Sequence, residues 1–151
     1  MLIGLISDTH GLVRPQALAA LKASDLIIHA GDIGRPEVLE RLRDIAPTFA
    51  VRGNVDTQAW AAALPATEAV EARRQLIWVL HDIAQLDLDP SVGFAAVVYG
   101  HSHKPSIERR DGVLYVNPGS AGPRRLGLPV TVGRLRVNGN RLEPEIVELD
   151  V

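Results

Sequence analysis

The 151-residue chain contains no cysteine. That excludes a disulfide framework, a thiolate zinc site and a cysteine nucleophile, so any bound metal must use nitrogen and oxygen ligands. The same absence suits a reducing compartment. No apolar run approaches the roughly twenty residues of a membrane span. The N-terminal Met1–Asp8 segment has neither the basic flank nor the length of a secretion signal. A soluble, cytoplasmic protein without a membrane partner is expected. Basic residues are not in excess: 16 Lys and Arg face 18 Asp and Glu, so nucleic acid is not expected as the main partner. No repeat, low-complexity stretch or linker interrupts the sequence, and residues 1–151 are read as one domain with its own core.

What is present is regular. Leu2–Ser7, Asp25–Ala30 and Thr48–Arg52 read as strands. Arg14–Lys22 and Pro36–Ala46 between them carry apolar residues at helical spacing. Strand, helix, strand, helix, strand implies parallel pairing with right-handed crossovers. In such sheets the chemistry lies outside the carboxyl ends of the strands. A short helix is expected over Thr57–Leu64, and strands over Ala66–Ala72 and Gln75–Leu80. Ile83–Asp89 could be a short helix. Phe94–Tyr99 reads as a buried strand, and two hairpins follow, Ser106–Val116 and Val130–Leu149, so the second half is expected to be mostly antiparallel.

The polar residues gather at the strand ends. Asp8 and His10 follow the first strand, Asp32 the second and Asn54 the third; His81 closes a fourth, and His101 and His103 follow Tyr99-Gly100. Strand alternation would point His101 and His103 the same way. Four of the five histidines belong to this set. Aspartate, asparagine and histidine together suit Mn²⁺, Fe²⁺, Co²⁺, Ni²⁺ or Zn²⁺. Seven groups exceed what one tetrahedral ion takes.

In order and spacing, Asp8-x-His10, Gly31-Asp32, Gly53-Asn54, His81 and Gly100-His101-x-His103 resemble the signature of calcineurin-like metallophosphoesterases. Asn117-Pro118-Gly119-Ser120 and the short length resemble the small prokaryotic phosphodiesterase branch of that superfamily. This branch is similar in turn to the phosphoesterase-fold subunit of the retromer sorting complex. The resemblance implies an α/β (α+β) fold, a four-layer αββα sandwich. It implies two divalent ions, Mn foremost with Fe, Ni, Co or Zn as alternatives. One ion would be held by Asp8, His10, Asp32 and His103, the other by Asp32, Asn54, His81 and His101, with Asp32 bridging. Two such ions clamp a phosphate and share a water, whose lowered pKa gives a hydroxide for in-line attack on phosphorus. The implied substrate is a small phosphate ester, a diester or a monoester. The alternative is a protein-interaction scaffold of the same fold with little or no catalysis.

Two positions depart from the family pattern. Val55 stands where many members carry a leaving-group histidine; valine cannot donate a proton, which favours activated esters or diesters. Asp56 beside it could act as an acid, orient a ligand or serve as a turn carboxylate. Asp82 follows His81 where glycine is usual, and could hydrogen-bond an imidazole or cap the next turn. His29 and Ser7 read as structural or supporting. Arg124 and Arg125 could meet a phosphate or be solvated; Trp60 and Trp78 read as packing residues. Edge strands that need covering leave a homodimer open.

Overall fold

The computed structural model describes residues 1–151. Its first third alternates as the periodicity demands: β1 (Leu2–Ile6), α1 (Pro15–Leu21), β2 (Leu26–His29), α2 (Pro36–Arg43) and β3 (Thr48–Ala50). Both helices start at a proline, whose missing N–H is no loss in a first turn. The three strands are parallel. Seven more strands follow: β4 (Thr67–Ala72), β5 (Gln75–Leu80), β6 (Ala96–Val98), β7 (Ser106–Arg110), β8 (Val113–Asn117), β9 (Thr131–Asn138) and β10 (Arg141–Glu148).

They form two five-stranded sheets, ordered β10-β9-β1-β2-β3 and β4-β5-β6-β8-β7. The final hairpin returns to the first sheet, where β9 lies antiparallel to β1. The pairing of the second half is mostly antiparallel, as expected, but not at the centre of the second sheet. β5, β6 and β8 run parallel at the centre of the second sheet, and β4 and β7 are the antiparallel edges. The burial of β6 and β8 explains this, since both are buried at every residue, the mark of parallel strands covered on two faces.

Side-chain parity then separates three apolar layers. Ile3, Leu5, Leu26 and Ile28 of the first sheet meet Ile77, Val79, Val98 and Leu114 of the second. Ile6 and Ile27 point the other way, to Leu21 of α1 and Leu39 and Leu42 of α2. Val97, Val113 and Tyr115 face outward from the second sheet, under Trp78, Ile83 and Leu86. This last cover is thin. Only a 3-10 turn, Ile83–Gln85, forms there, because Asp87, Asp89, Pro90 and Gly93 stop any longer helix. The segment expected as a short helix before Pro65 is likewise a 3-10 turn, Ala59–Ala63. No helix is long and apolar enough to cross a membrane.

Candidate metal centre

Each sheet contributes three parallel strands, and the loop after each of their carboxyl ends brings residues to one place. β1 leads to Asp8 and His10, β2 to Asp32, β3 to Asn54, β5 to His81, β6 to His101 and His103, and β8 ends at Asn117. The mechanism of alignment differs from strand alternation. β1 ends at Ile6 and β6 at Val98, so both His-bearing segments are loops. Asp8, His10, Asp32, His101 and His103 all have left-handed backbones, with φ between 47 and 74°. This conformation is uncommon for residues with a Cβ and is held only where the surroundings fix it. As a result His101 and His103 diverge. His103 stacks obliquely near His10, with ring centroids 5.4 Å apart, and His101 lies edge-on to His81 at 5.2 Å.

The donors converge on two carboxylates. Around Asp8 Oδ1 lie the Nε2 atoms of His103 at 3.4 Å, His81 at 3.8 Å and His10 at 4.0 Å. Asp32 Oδ2 faces His81 Nε2 at 3.3 Å and His10 Nε2 at 3.7 Å. Beside them, His101 Nδ1 and Asn54 Oδ1 are 3.3 Å apart. Asp8 Oδ1, His10 Nε2, His81 Nε2 and His103 Nδ1 are buried without a hydrogen-bond partner. Such orphans are costly in a native interior. A cation held by Asp8 Oδ1, His10 Nε2 and His81 Nε2 removes that cost for three of them, so the residues fit divalent metal. Two groups, Asp8 with His10 and His103, and Asp8 with Asp32 and His81, each bring their ligand atoms within 4.8 Å of one another.

A second ring of bonds aims the donors. His81 Nδ1 lies 2.7 Å from the Ala30 carbonyl, so it must carry the proton and donate, leaving Nε2 as a lone pair turned to the carboxylates. Asp8 Oδ2 accepts from Ser7 Oγ at 2.8 Å and from the His101 N–H at 3.1 Å, which frees Oδ1. Asp32 Oδ1 accepts from the Val55 N–H at 3.1 Å; Val55 thus contributes its backbone where its side chain has nothing to donate. Burial pushes the Asp32 carboxyl up, but the His81 imidazole and the Val55 N–H outweigh it and hold the group below the usual carboxylate range. Burial opposes the charging of His81, yet Asp32 and the Ala30 carbonyl raise its pKa.

Several residues read earlier in two ways now have one description. Asp56 is buried, and its two oxygens accept from the N–H groups of Ile33, Gly34 and Gly53 at 2.9–3.0 Å. It ties the Asn54 loop to the Asp32 loop as a structural carboxylate, not an acid facing the site. His29 accepts from the Gly31 N–H at Nδ1 and so donates from Nε2 to Thr9 Oγ1, which donates onward to the Ile33 carbonyl. Asp82 caps the Ile83 turn through Oδ1 and holds Oδ2 3.9 Å from His101 Nε2. The imidazole it faces is therefore that of His101 and not of its neighbour His81. Asn117 donates to the Gly100 carbonyl and Ser102 Oγ, clamping the turn between the two histidines. Arg124 reaches the Val151 carbonyl. Burial and then, against the pull of Asp8, the charge of Arg125 hold His103 below the ordinary imidazole range. Trp60 and Trp78 pack against the outer apolar layers. Thr9, Arg52, Gln85 and Asp87 were not singled out from the sequence. They come from aperiodic loops, where no spacing marks them.

The chain is similar to known proteins over most of its length. The chain is 34% identical over a 160-residue alignment to a probable metallophosphoesterase of Methanothermobacter thermautotrophicus, covering 97% of this chain and 92% of that one. It is 29% identical over 154 residues to phosphodiesterase YfcE of Escherichia coli K12, covering 85% and 84%. Among solved structures, Vps29 of Chaetomium thermophilum superposes with a TM-score of 0.79 at 18% identity, over 98% of this chain and 96% of that one. That similarity is one of fold. Residues 1–140 match the model of the calcineurin-like phosphoesterase superfamily domain, and the chain belongs to that superfamily.

Proposed function

We propose that the protein is a dinuclear metal-dependent phosphoesterase that hydrolyses small phosphate esters, diesters or monoesters. The observation that carries this reading is the convergence of three imidazole Nε2 atoms on Asp8 and Asp32, with buried donor atoms left unpartnered. Asp8, His10, Asp32 and His103 would hold one ion, and Asp32, Asn54, His81 and His101 the other, with Asp32 shared. Ions bound there would supply Lewis-acid charge and water activation for in-line attack on phosphorus. The chain supplies the rest. Ser7 and the His101 N–H hold Asp8 in its rotamer, Val55 N–H holds Asp32, and Ala30 holds His81 in the tautomer that presents Nε2. Mn²⁺ is the first ion to test, since the donor set mixes carboxylate, amide and imidazole.

The test is nitrophenol release from bis(p-nitrophenyl) phosphate and p-nitrophenyl phosphate, by metal-stripped protein with and without Mn²⁺. Release that requires the ion establishes the activity, and Asp32→Ala should abolish it. If protein shown to bind Mn²⁺ cuts neither ester, the phosphoesterase reading fails and an interaction scaffold of this fold takes its place.

A further inference from the structure

A cavity of about 410 Å³ opens beside Asn54, His81 and His101. Its remaining wall is polar: Arg52, Thr67, Asp82, Gln85 and Asp87 line it, and only Ala66 and Leu80 are apolar. No Trp, Tyr or Phe side chain reaches it. His81, 6% exposed and with its Nε2 unpartnered, forms part of the floor. A group held at the metal centre on this side therefore extends into a chamber of hydrogen-bonding side chains.

We infer that this cavity takes a neutral, polyhydroxylated alcohol arm of the phosphate ester, of the glycerol or sugar kind; the inference rests on the phosphoesterase reading above. The composition of the wall selects among arms. Asp82 and Asp87 accept hydrogen bonds, and Gln85 both donates and accepts. Arg52 spends one N–H on the Leu64 carbonyl and keeps others for a ligand. Hydroxyl groups satisfy both kinds of partner. An aryl or nucleobase arm finds no Trp, Tyr or Phe face to stack on, and it strips water from carboxylates without replacing the bonds. A cationic arm would meet two carboxylates but also the Arg52 guanidinium. Gln85 and Asp87 stand on the irregular segment after β5, so this specificity is built from the stretch where the fourth layer is thinnest.

Four p-nitrophenyl phosphodiesters with one leaving group and different second arms test the inference: glyceryl, methyl, phenyl and 2-aminoethyl. In each, water adds to phosphorus, the bond to the nitrophenyl oxygen breaks with its electron pair, and the arm remains as a phosphomonoester. The glyceryl ester should exceed the methyl ester in kcat/KM by about tenfold, a modest factor because the cavity is open to water. Asp87→Asn with Gln85→Ala should bring that ratio close to one. Equal rates, a preference for phenyl or 2-aminoethyl, or an unchanged ratio in the double variant would overturn it. Binding of 3,4-dihydroxybutylphosphonate against benzylphosphonate to the Mn²⁺-loaded protein, followed by calorimetry, decides the same question without turnover, since neither has a P–O–C bond to hydrolyse. Failure to cut any of the four esters would count against the phosphoesterase reading, and the calorimetric order would still stand or fall alone.

Discussion

The backbone N–H of His101 donates to Asp8 Oδ2 over 3.1 Å, and Ser7 Oγ donates to the same oxygen over 2.8 Å. The turn that carries two imidazoles therefore also orients the carboxylate that one of them faces. Ser7→Ala removes one of these two bonds from a fully buried carboxylate. We expect Mn²⁺ affinity to fall by roughly tenfold, the low end for an outer partner of a ligand, and stability to fall by about 1–2 kcal/mol. Calorimetric titration and urea unfolding of the same samples check the two effects.

Gly53 sets how closely the β3 loop can approach Asp32. A Cβ on Gly53 would overlap Asp32 Oδ1 and its backbone nitrogen. Gly53→Ala must push the carboxylate away or open the loop, at a cost of about 1–3 kcal/mol, and should remove most of the Mn²⁺ binding. Val55→Ala is the matched control. It trims an exposed side chain, 43% accessible, and keeps the N–H that Asp32 uses, so binding should stay within about twofold of the parent, a change of under half a kcal/mol.

The first sheet was legible in the sequence because α1 and α2 repeat at 3.6 and β1 to β3 are short apolar runs ending in Gly or Asp. Asp8, Asp32 and Asn54 stand out for that reason; ligand atoms of Asp8 and Asp32 lie within 4.8 Å of one another, and Asn54 lies against His101. The pairing of β5, β6 and β8 was not legible, since an apolar run fits a parallel or an antiparallel neighbour equally well. His101 and His103 are neighbours of one site through left-handed backbones, which alternation along a strand cannot foresee. Asp56, Thr9 and Asn117 act through bonds to backbone groups of distant loops, and neither composition nor spacing encodes those partners.

Asp56 gives a sharp distinction between bracing and proton transfer. Its carboxylate accepts three backbone N–H groups from two loops. Asp56→Asn offers one acceptor oxygen in place of two and turns an NH₂ toward buried donors. A stability loss of about 2–4 kcal/mol is expected from the unsatisfied N–H groups. The residual phosphoesterase rate should keep the pH profile of the parent. A lost acidic or basic limb in that profile would instead make Asp56 a participant in proton transfer.

His29 links acid stability to a single buried imidazole. Burial is the main reason its pKa falls from the ordinary 6.5 to about 3, with the charge of His81 adding to it. In the folded protein both ring nitrogens are engaged and the ring stays neutral. Below pH 6.5 the unfolded chain takes up a proton at this position that the folded chain refuses until about pH 3. The unfolded state then binds more protons, so stability falls as pH falls through that window and is fully present above it. The slope from this residue alone approaches about 1.4 kcal/mol per pH unit in the middle of that window. His29→Gln cannot titrate. It should be less stable than the parent at about pH 7, where the Thr9 and Gly31 bonds are disturbed at a cost of about 1–2 kcal/mol. Its stability should then decline less steeply toward about pH 5, by close to one proton in the linkage slope. Urea midpoints of both proteins across that range measure the difference, in which the titrations common to the two cancel. Parallel curves would mean that His29 takes up its proton at the same pH in the folded and unfolded chain, which is incompatible with Nδ1 accepting from the Gly31 N–H.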